Sequence, residues 1–313
     1  MKKYRTIFKL FLVVSAIVAF AVSSFISAEA KPPKPTPTPS TTPQPYDLVR
    51  AGLRSSDYGI SPFPSPTWWV NSINSMAGSF SEKPAGSSIL VVVEIDGMSG
   101  PGCWAHFPNP DGRTYPGVRF DATDEFEPLL DAFDKPEVGI KAWVQVESSG
   151  CDMTMLINLV MGHYGSHPSV VGFGVDDEWY LNKSYQVGKP ITDAEARDWV
   201  GLVRSFDSSD KVFLKHWLTS QMPPTYRDGI VFINDSQGLR SLSAMVTDFA
   251  AWGQYFYNAP VGFQYGYARD KKWWGRLSNP PKTIGDAIRA ATPNTTDLYW
   301  VDFTAYDIWP PTP

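Results

Sequence analysis

Histidine and cysteine are scarce in this chain, with 4 His and 2 Cys among 313 residues. Two cysteines cannot supply a four-ligand zinc site. His106, His163, His167 and His216 follow no metal-binding spacing. His163 and His167 are four apart, but the Gly-Ser-His-Pro sequence there ends a helix. Neither a metal nor a cofactor is expected. A dominant charge sign is also missing: 27 basic and 32 acidic residues are interspersed, for a net charge of −5. No basic block points to nucleic acid and no acidic tail to a disordered partner. A nucleotide-binding glycine loop is absent too, since Gly172-Phe173-Gly174 falls inside a strand pattern and not in a strand-to-helix turn. No internal repeat is visible.

One long apolar run exists, Leu10 to Ile26, behind the basic start Met1-Lys2-Lys3-Tyr4-Arg5. With Ala28-Glu29-Ala30 as a small-x-small site, residues 1–30 read as a signal peptide. An uncleaved anchor through residues 7–26 is the alternative. Either way the rest of the chain is expected outside the cytosol, touching a membrane only if the anchor stays. Residues 31–45, rich in Pro and Thr, read as an extended linker that builds no core. The folded part is expected over residues 46–313, as one domain and a monomer. In an oxidising compartment, Cys103 and Cys151 are expected to form a disulfide.

From Asp57 onward, strand and helix signals alternate. Strands are expected at Asp57–Pro62, Ile89–Asp96, Ile140–Glu147, Val170 onward, Val212–Trp217, Ile230–Asp235, Val261–Tyr267 and Leu298–Phe303. Helices are expected at Pro66–Met76, Thr123–Phe133, Met153–Tyr164, Thr192–Phe206, Ser241–Tyr257 and Thr283–Ala291. Pro223-Pro224 spoils the helix after the fifth strand. A glycine- and proline-rich loop should fill Gly97 to Phe120. Eight strands in this alternation predict an α/β fold, a single-domain (β/α)8 TIM barrel, with an open doubly wound sheet as runner-up.

Polar residues gather at the strand ends, where such barrels carry their chemistry. Glu94, Asp96, Glu147, Asp176, Glu178 and Asp235 are the acids. Trp179, Trp217, Tyr265 and Trp300 are aromatics suited to stacking on sugar rings. The centre is Val170-Val171-Gly172-Phe173-Gly174-Val175-Asp176-Asp177-Glu178-Trp179-Tyr180. Alternation as one strand turns Gly172, Gly174, Asp176 and Glu178 inward and Val171, Phe173, Val175 and Asp177 outward. The two glycines would clear room below the two acids. Crowded carboxylates raise one another's pKa and leave a proton donor near neutral pH, as glycoside hydrolysis requires.

This stretch resembles the strand-four signature of glycoside hydrolase family 18, the chitinase-like barrels, which runs Asp-Gly-x-Asp-x-Asp-x-Glu. Gly172, Asp176 and Glu178 match it. Val171 and Gly174 stand at its two other acidic positions. The resemblance implies that Glu178 is the proton donor, that Asp176 orients an N-acetyl group and that Trp300 floors the sugar site. A double-glutamate retaining mechanism lacks its strand-seven carboxylate. An inverting mechanism could draw its base from Glu94, Asp96, Glu147 or Asp235. The expected function is hydrolysis of a polysaccharide or oligosaccharide, with Glu178 as general acid and Asp176 as its partner. The alternative is a non-catalytic, secreted carbohydrate-binding barrel, motivated by the two missing acids.

Overall fold

Ile89-Leu90-Val91-Val92-Val93 is apolar at every position, a pattern that suits a strand covered on both faces. The computed structural model describes residues 42–43, 45–97, 102–182 and 187–311. In it this run is the middle of β2 (Ala85–Ile95), buried between a barrel interior and a shell of helices. The expected signal peptide, anchor and most of the linker lie outside the described residues.

Seven further strands run parallel to β2. They are β1 (Arg50–Ser55), β5 (Lys141–Val146), β6 (Val170–Asp176), β7 (Lys211–Lys215), β8 (Ile230–Asn234), β9 (Val261–Tyr265) and β10 (Thr295–Trp300). They pair in chain order, and β1 bonds to both β2 and β10, which closes the barrel. The fold is the expected (β/α)8 barrel. Two short strands, β3 (Cys103–Ala105) and β4 (Val118–Phe120), extend the sheet from the end of β2. The Gly97–Phe120 stretch is thus partly ordered sheet and not the loop expected.

The helices form where caps and proline start them. Pro66 opens α1 (Pro66–Gly78), whose cap Ser65 accepts from Trp68 N at 3.4 Å. Next come α2 (Glu127–Phe133), α3 (Met153–Tyr164) and α4 (Asp193–Arg204); Thr192 and Glu195 cap α4 reciprocally, as their spacing predicts. Only a 3-10 turn, Thr219–Gln221, follows β7, where Pro223-Pro224 forbids a helix. The outer shell ends with α5 (Leu242–Tyr255), α6 (Lys271–Trp274), α7 (Pro280–Ala291) and α8 (Ala305–Ile308).

The expected first strand, Asp57–Pro62, is wrong; the strand is β1, and all six of its residues are buried. Its sequence, Arg-Ala-Gly-Leu-Arg-Ser, reads polar because its counter-charges lie far along the chain. Arg50 meets Asp297 at 2.6 Å, and Arg54 meets Asp302 at 2.9 Å. Strand β10 likewise starts three residues before its expected position at Leu298. Its pairing register turns Asp297 and Tyr299 to the interior: Tyr299 Oη donates to Asp297 Oδ1 at 2.9 Å and accepts from Trp143 Nε1 at 2.9 Å.

The interior cluster is Ile89, Trp143, Phe213, Val231, Ile233 and Tyr299, all from strands and none from helices. Val171 packs against it, so the expected outward placing of Val171 is corrected. The cause is a register shift beside Gly172, whose φ of +147° only glycine adopts readily. A Cβ on Gly174 would come within 2.1 Å of the Phe213 ring. That glycine makes room for Phe213 and not, as expected, for a ligand.

Cys103 and Cys151 are bonded, with Cα atoms 6.6 Å apart. The bridge ties β3 to the segment after β5. It spans 48 residues, so the chain-entropy relation puts its contribution at about 4 kcal/mol. Denaturant unfolding of a Cys103→Ser/Cys151→Ser double variant should read a loss of that order. A loss under about 1 kcal/mol would mean that the bridge holds little of the fold. Such bonds persist in oxidising compartments. Among the described residues no helix is long and apolar enough to cross a membrane.

Candidate active site

Asp176 ends β6 and Lys215 ends β7, and the register sets them side by side. The alternation that sends Phe173 and Val175 to the helices sends Asp176 inward, and Lys215 points in for the same reason. Lys215 Nζ lies 2.6 Å from Asp176 Oδ2 and 3.2 Å from Asp235 Oδ2, just beyond β8. All three side chains are almost fully buried. Burial opposes the lysine's charge, but the two carboxylates outweigh it and raise its pKa. Asp176 is raised by burial and by Asp235, against the pull of Lys215.

The strand expected to run through Glu178 stops at Asp176. Asp177–Trp179 forms a 3-10 turn instead. Glu178 therefore comes from a turn, its carboxyl largely buried, while Asp176 ends the strand below it. Burial, then Asp176 and Asp235, push its carboxyl up to about 8. Asp177, expected to point away from the site, is wholly buried, and neither of its oxygens has a hydrogen-bond partner among the described residues. Burial with Asp176 and Asp235 raises it far above the usual carboxylate range, so it is held neutral.

A second group stands across the β5–β6 seam. Glu147 Oε1 accepts from Tyr58 Oη at 2.5 Å and lies 3.5 Å from Arg54 Nη2. Arg54 also contacts Tyr58 and binds Asp302, which in turn accepts from Ser56 N at 2.7 Å. Burial and then Asp176 push Glu147 up to about 7, against Arg54 and Tyr58. Deeper in the barrel, Gln264 Nε2 donates to Tyr267 Oη at 2.5 Å.

Of the sequence-named residues, Asp176, Glu178, Glu147 and Asp235 come together here. Glu94 is a neighbour, with Oε1 3.5 Å from His106 Nε2. Asp96 does not join them: it lies at the outer rim, 2.9 Å from Arg119, whose guanidinium covers Trp104 at 3.7 Å. Trp179 rides on the same turn as Glu178 and is half-exposed, and Trp217 stacks on His216 with centroids 4.1 Å apart. Tyr265 and Trp300 are corrections. Both turn outward into the helix shell and are fully buried, 5.6 Å apart, with Trp300 also 5.1 Å from Trp274. The register of β10 against β1 and β9 gives its inward face to Asp297 and Tyr299, so Leu298 and Trp300, between and after them, turn outward.

Sequence reasoning missed Arg54, Tyr58 and His106. The alternation of Ala51 and Leu53 with Arg50 and Arg54 was a usable signal for the first; nothing local marks the other two. His106 is buried among Glu94, Asp57 and Asp121. They outweigh burial and raise it to about 9, so it carries a positive charge. His216 is the opposite case: burial lowers it to about 4, and its Nδ1 accepts from Leu218 N at 2.8 Å. The proton of this neutral ring therefore sits on Nε2.

Among the described residues two groups offer metal-type ligands within 4.8 Å of one another, Asp57/Glu94/His106 and Asp124/Glu127/His163. In the first, the histidine's charge already offsets the acids. In the second, Asp124 accepts from Tyr164 Oη at 2.9 Å and pairs with His163 at 2.8 Å.

No family model and no curated protein matches the chain. Solved structures it resembles include glycoside hydrolase barrels. One is a β-glucuronidase of Parabacteroides merdae, at 12% identity and TM-score 0.46, over 81% of this chain and 31% of that one. The chain thus spans about a third of that protein's length. Another is an endo-1,4-β-D-mannanase of Thermotoga petrophila, at 11% identity and TM-score 0.45, over 82% and 88% of the two chains. A third is a psychrophilic family 10 endo-β-1,4-xylanase, at 9% identity and TM-score 0.43, over 82% and 86%. The chitinase-like family of the strand-four resemblance is not among these three, and such identities carry nothing about substrate or catalytic residues.

Proposed function

We propose that this barrel hydrolyses a glycosidic bond of a polysaccharide or oligosaccharide, with Glu178 as general acid and Asp176 as its partner. One observation carries the reading. Glu178 is a largely buried carboxyl just past the C-terminal end of β6, and its burial, then Asp176 and Asp235, push it up to about 8. A carboxylic acid that keeps its proton at neutral pH at the mouth of the barrel is what a leaving glycosidic oxygen needs. Asp176 contributes by charge: fixed on Lys215, it raises the cost of ionising Glu178. Trp179 and Trp217, both partly exposed near this rim, are the aromatics available to a sugar ring. We place the barrel outside the cytosol, as a monomer behind a leader at residues 1–30 and a linker at residues 31–45.

The test is a screen of the protein against β-glucans, chitin, peptidoglycan and α-glucans, read by released reducing ends. Cleavage of one of them that Glu178→Gln abolishes supports the reading. Binding without cleavage by the unaltered protein would replace it with the carbohydrate-binding alternative.

The acid must be protonated to act. Its active fraction is therefore full below its pKa and falls as pH rises through it. The expected profile of kcat/KM loses about tenfold per pH unit above about 8. A flat profile from pH 7 to 10 would show that no acid with this pKa is needed.

A further inference from the structure

The proposed reaction needs a second group, one that handles the incoming water. We propose that Glu147 is this second catalytic carboxylate: it takes a proton from the water that attacks the anomeric carbon. This rests on the glycosidase reading above.

Glu147 is the residue after Val146, which pairs with Val175 of β6. It therefore stands level with Asp176, about 4.8 Å across the sheet. Glu178 lies on the turn two residues beyond. The charge of Glu147 also acts on the Glu178 carboxyl, which puts the two within electrostatic reach at the mouth. Among the described residues both polar contacts to the Glu147 carboxylate fall on Oε1, from Tyr58 at 2.5 Å and Arg54 at 3.5 Å. They set the orientation of the group and leave Oε2 as the oxygen to meet water. The other candidate bases are engaged otherwise. Asp176 and Asp235 share an ammonium at 2.6 and 3.2 Å, which keeps their negative charge paired. Glu94 faces the charged His106, and Asp96 sits out at the rim on Arg119. Glu94 and Glu147 each meet a cation only at 3.5 Å, but Glu147 is the one that follows β5 beside Asp176 and whose charge acts on Glu178.

In the step, the water oxygen bonds to the anomeric carbon and one water proton passes to Glu147. The glycosidic C–O bond breaks, and its oxygen takes the proton of Glu178. Exchange with solvent restores both groups. Configuration at the anomeric carbon inverts.

The experiment uses the full chain and whichever polysaccharide of the panel the unaltered protein cleaves. Glu147→Ala should lower kcat about a thousandfold, with KM little changed. Added azide, which needs no deprotonation, should restore turnover about tenfold and yield a glycosyl azide of inverted configuration. Glu147→Gln keeps the size of the side chain and serves if the alanine variant unfolds; its loss should be similar, with a cooperative melt. NMR of the first product from unaltered protein should show inversion. Retained configuration, or a Glu147→Gln variant with more than about a tenth of the activity, overturns the inference. If Glu178→Gln is dead while Glu147→Gln is active, the glycosidase reading stands and only this inference falls. If the unaltered protein cleaves nothing, both fall.

Discussion

Glu178→Gln is expected to lower kcat on a natural glycan by about a thousandfold, leaving KM within a few-fold and the fold intact. The amide keeps the shape but has no acidic proton, and a carboxyl already held protonated at neutral pH is replaced by a neutral group of the same size, so little stability rides on it. On an aryl glycoside with a good leaving group the loss should shrink sharply, because such a group departs without protonation. That contrast separates a general acid from a residue that merely supports the site, whose loss would be equal on both substrates. Asp176→Asn should cost less, since it removes charge behind the acid and not the acid itself. Asp177→Asn should change turnover only a few-fold. Its carboxyl is buried and held neutral, so a neutral amide of nearly the same shape replaces it at small cost. If Asp177→Asn proved the most damaging of the three, the assignment of roles on this turn would fail.

Lys215→Met is expected to destabilise the barrel by about 3–5 kcal/mol at pH 7. Lys215 is the cation between Asp176 and Asp235, and methionine fills the space without the charge. Two buried carboxylates then face each other unpaired, which costs far more than the ion pair contributes when intact. The sign with pH follows. Without the ammonium, the folded-state pKa of the buried Asp176 stands still further above its unfolded value. The penalty is then full above that raised pKa and disappears as pH falls toward the unfolded value near about 3.9. Denaturant midpoints of the variant and the unaltered protein should therefore converge between about pH 7 and pH 4. A gap that stays constant with pH would mean that the loss is one of packing and not of charge.

Legibility followed locality. The strand Ile89–Asp96 and the helix Met153–Tyr164 were readable because each carries its own apolar pattern; the helix was placed to the residue. The disulfide was readable because only two cysteines exist to pair. The first strand was not, because Arg50 and Arg54 are soluble-looking residues unless Asp297 and Asp302 are known to wait beside them. Trp300 was misplaced for a related reason. On a strand as apolar as Leu-Tyr-Trp-Val nothing local says which face is inside, and the pairing register with β1 and β9 decides it.

By itself, the sequence determined the alternation of strands and helices, hence a closed barrel, and the gathering of acids at its strand ends. Those features depend on the burial preference of each residue among its near neighbours, which a short window records. Only the tertiary structure decided which acids meet, and which of them are disarmed by a cation. Arg50 and Asp297 are 247 positions apart, and Arg54 reaches Glu147 across 93. A charge's protonation depends on burial and on its counter-charge through space. Glu178 and Asp176 stand two apart in the chain, yet one sits on a turn and the other is locked on Lys215, because the pairing of β6 with β7 sets the lysine against only one of them.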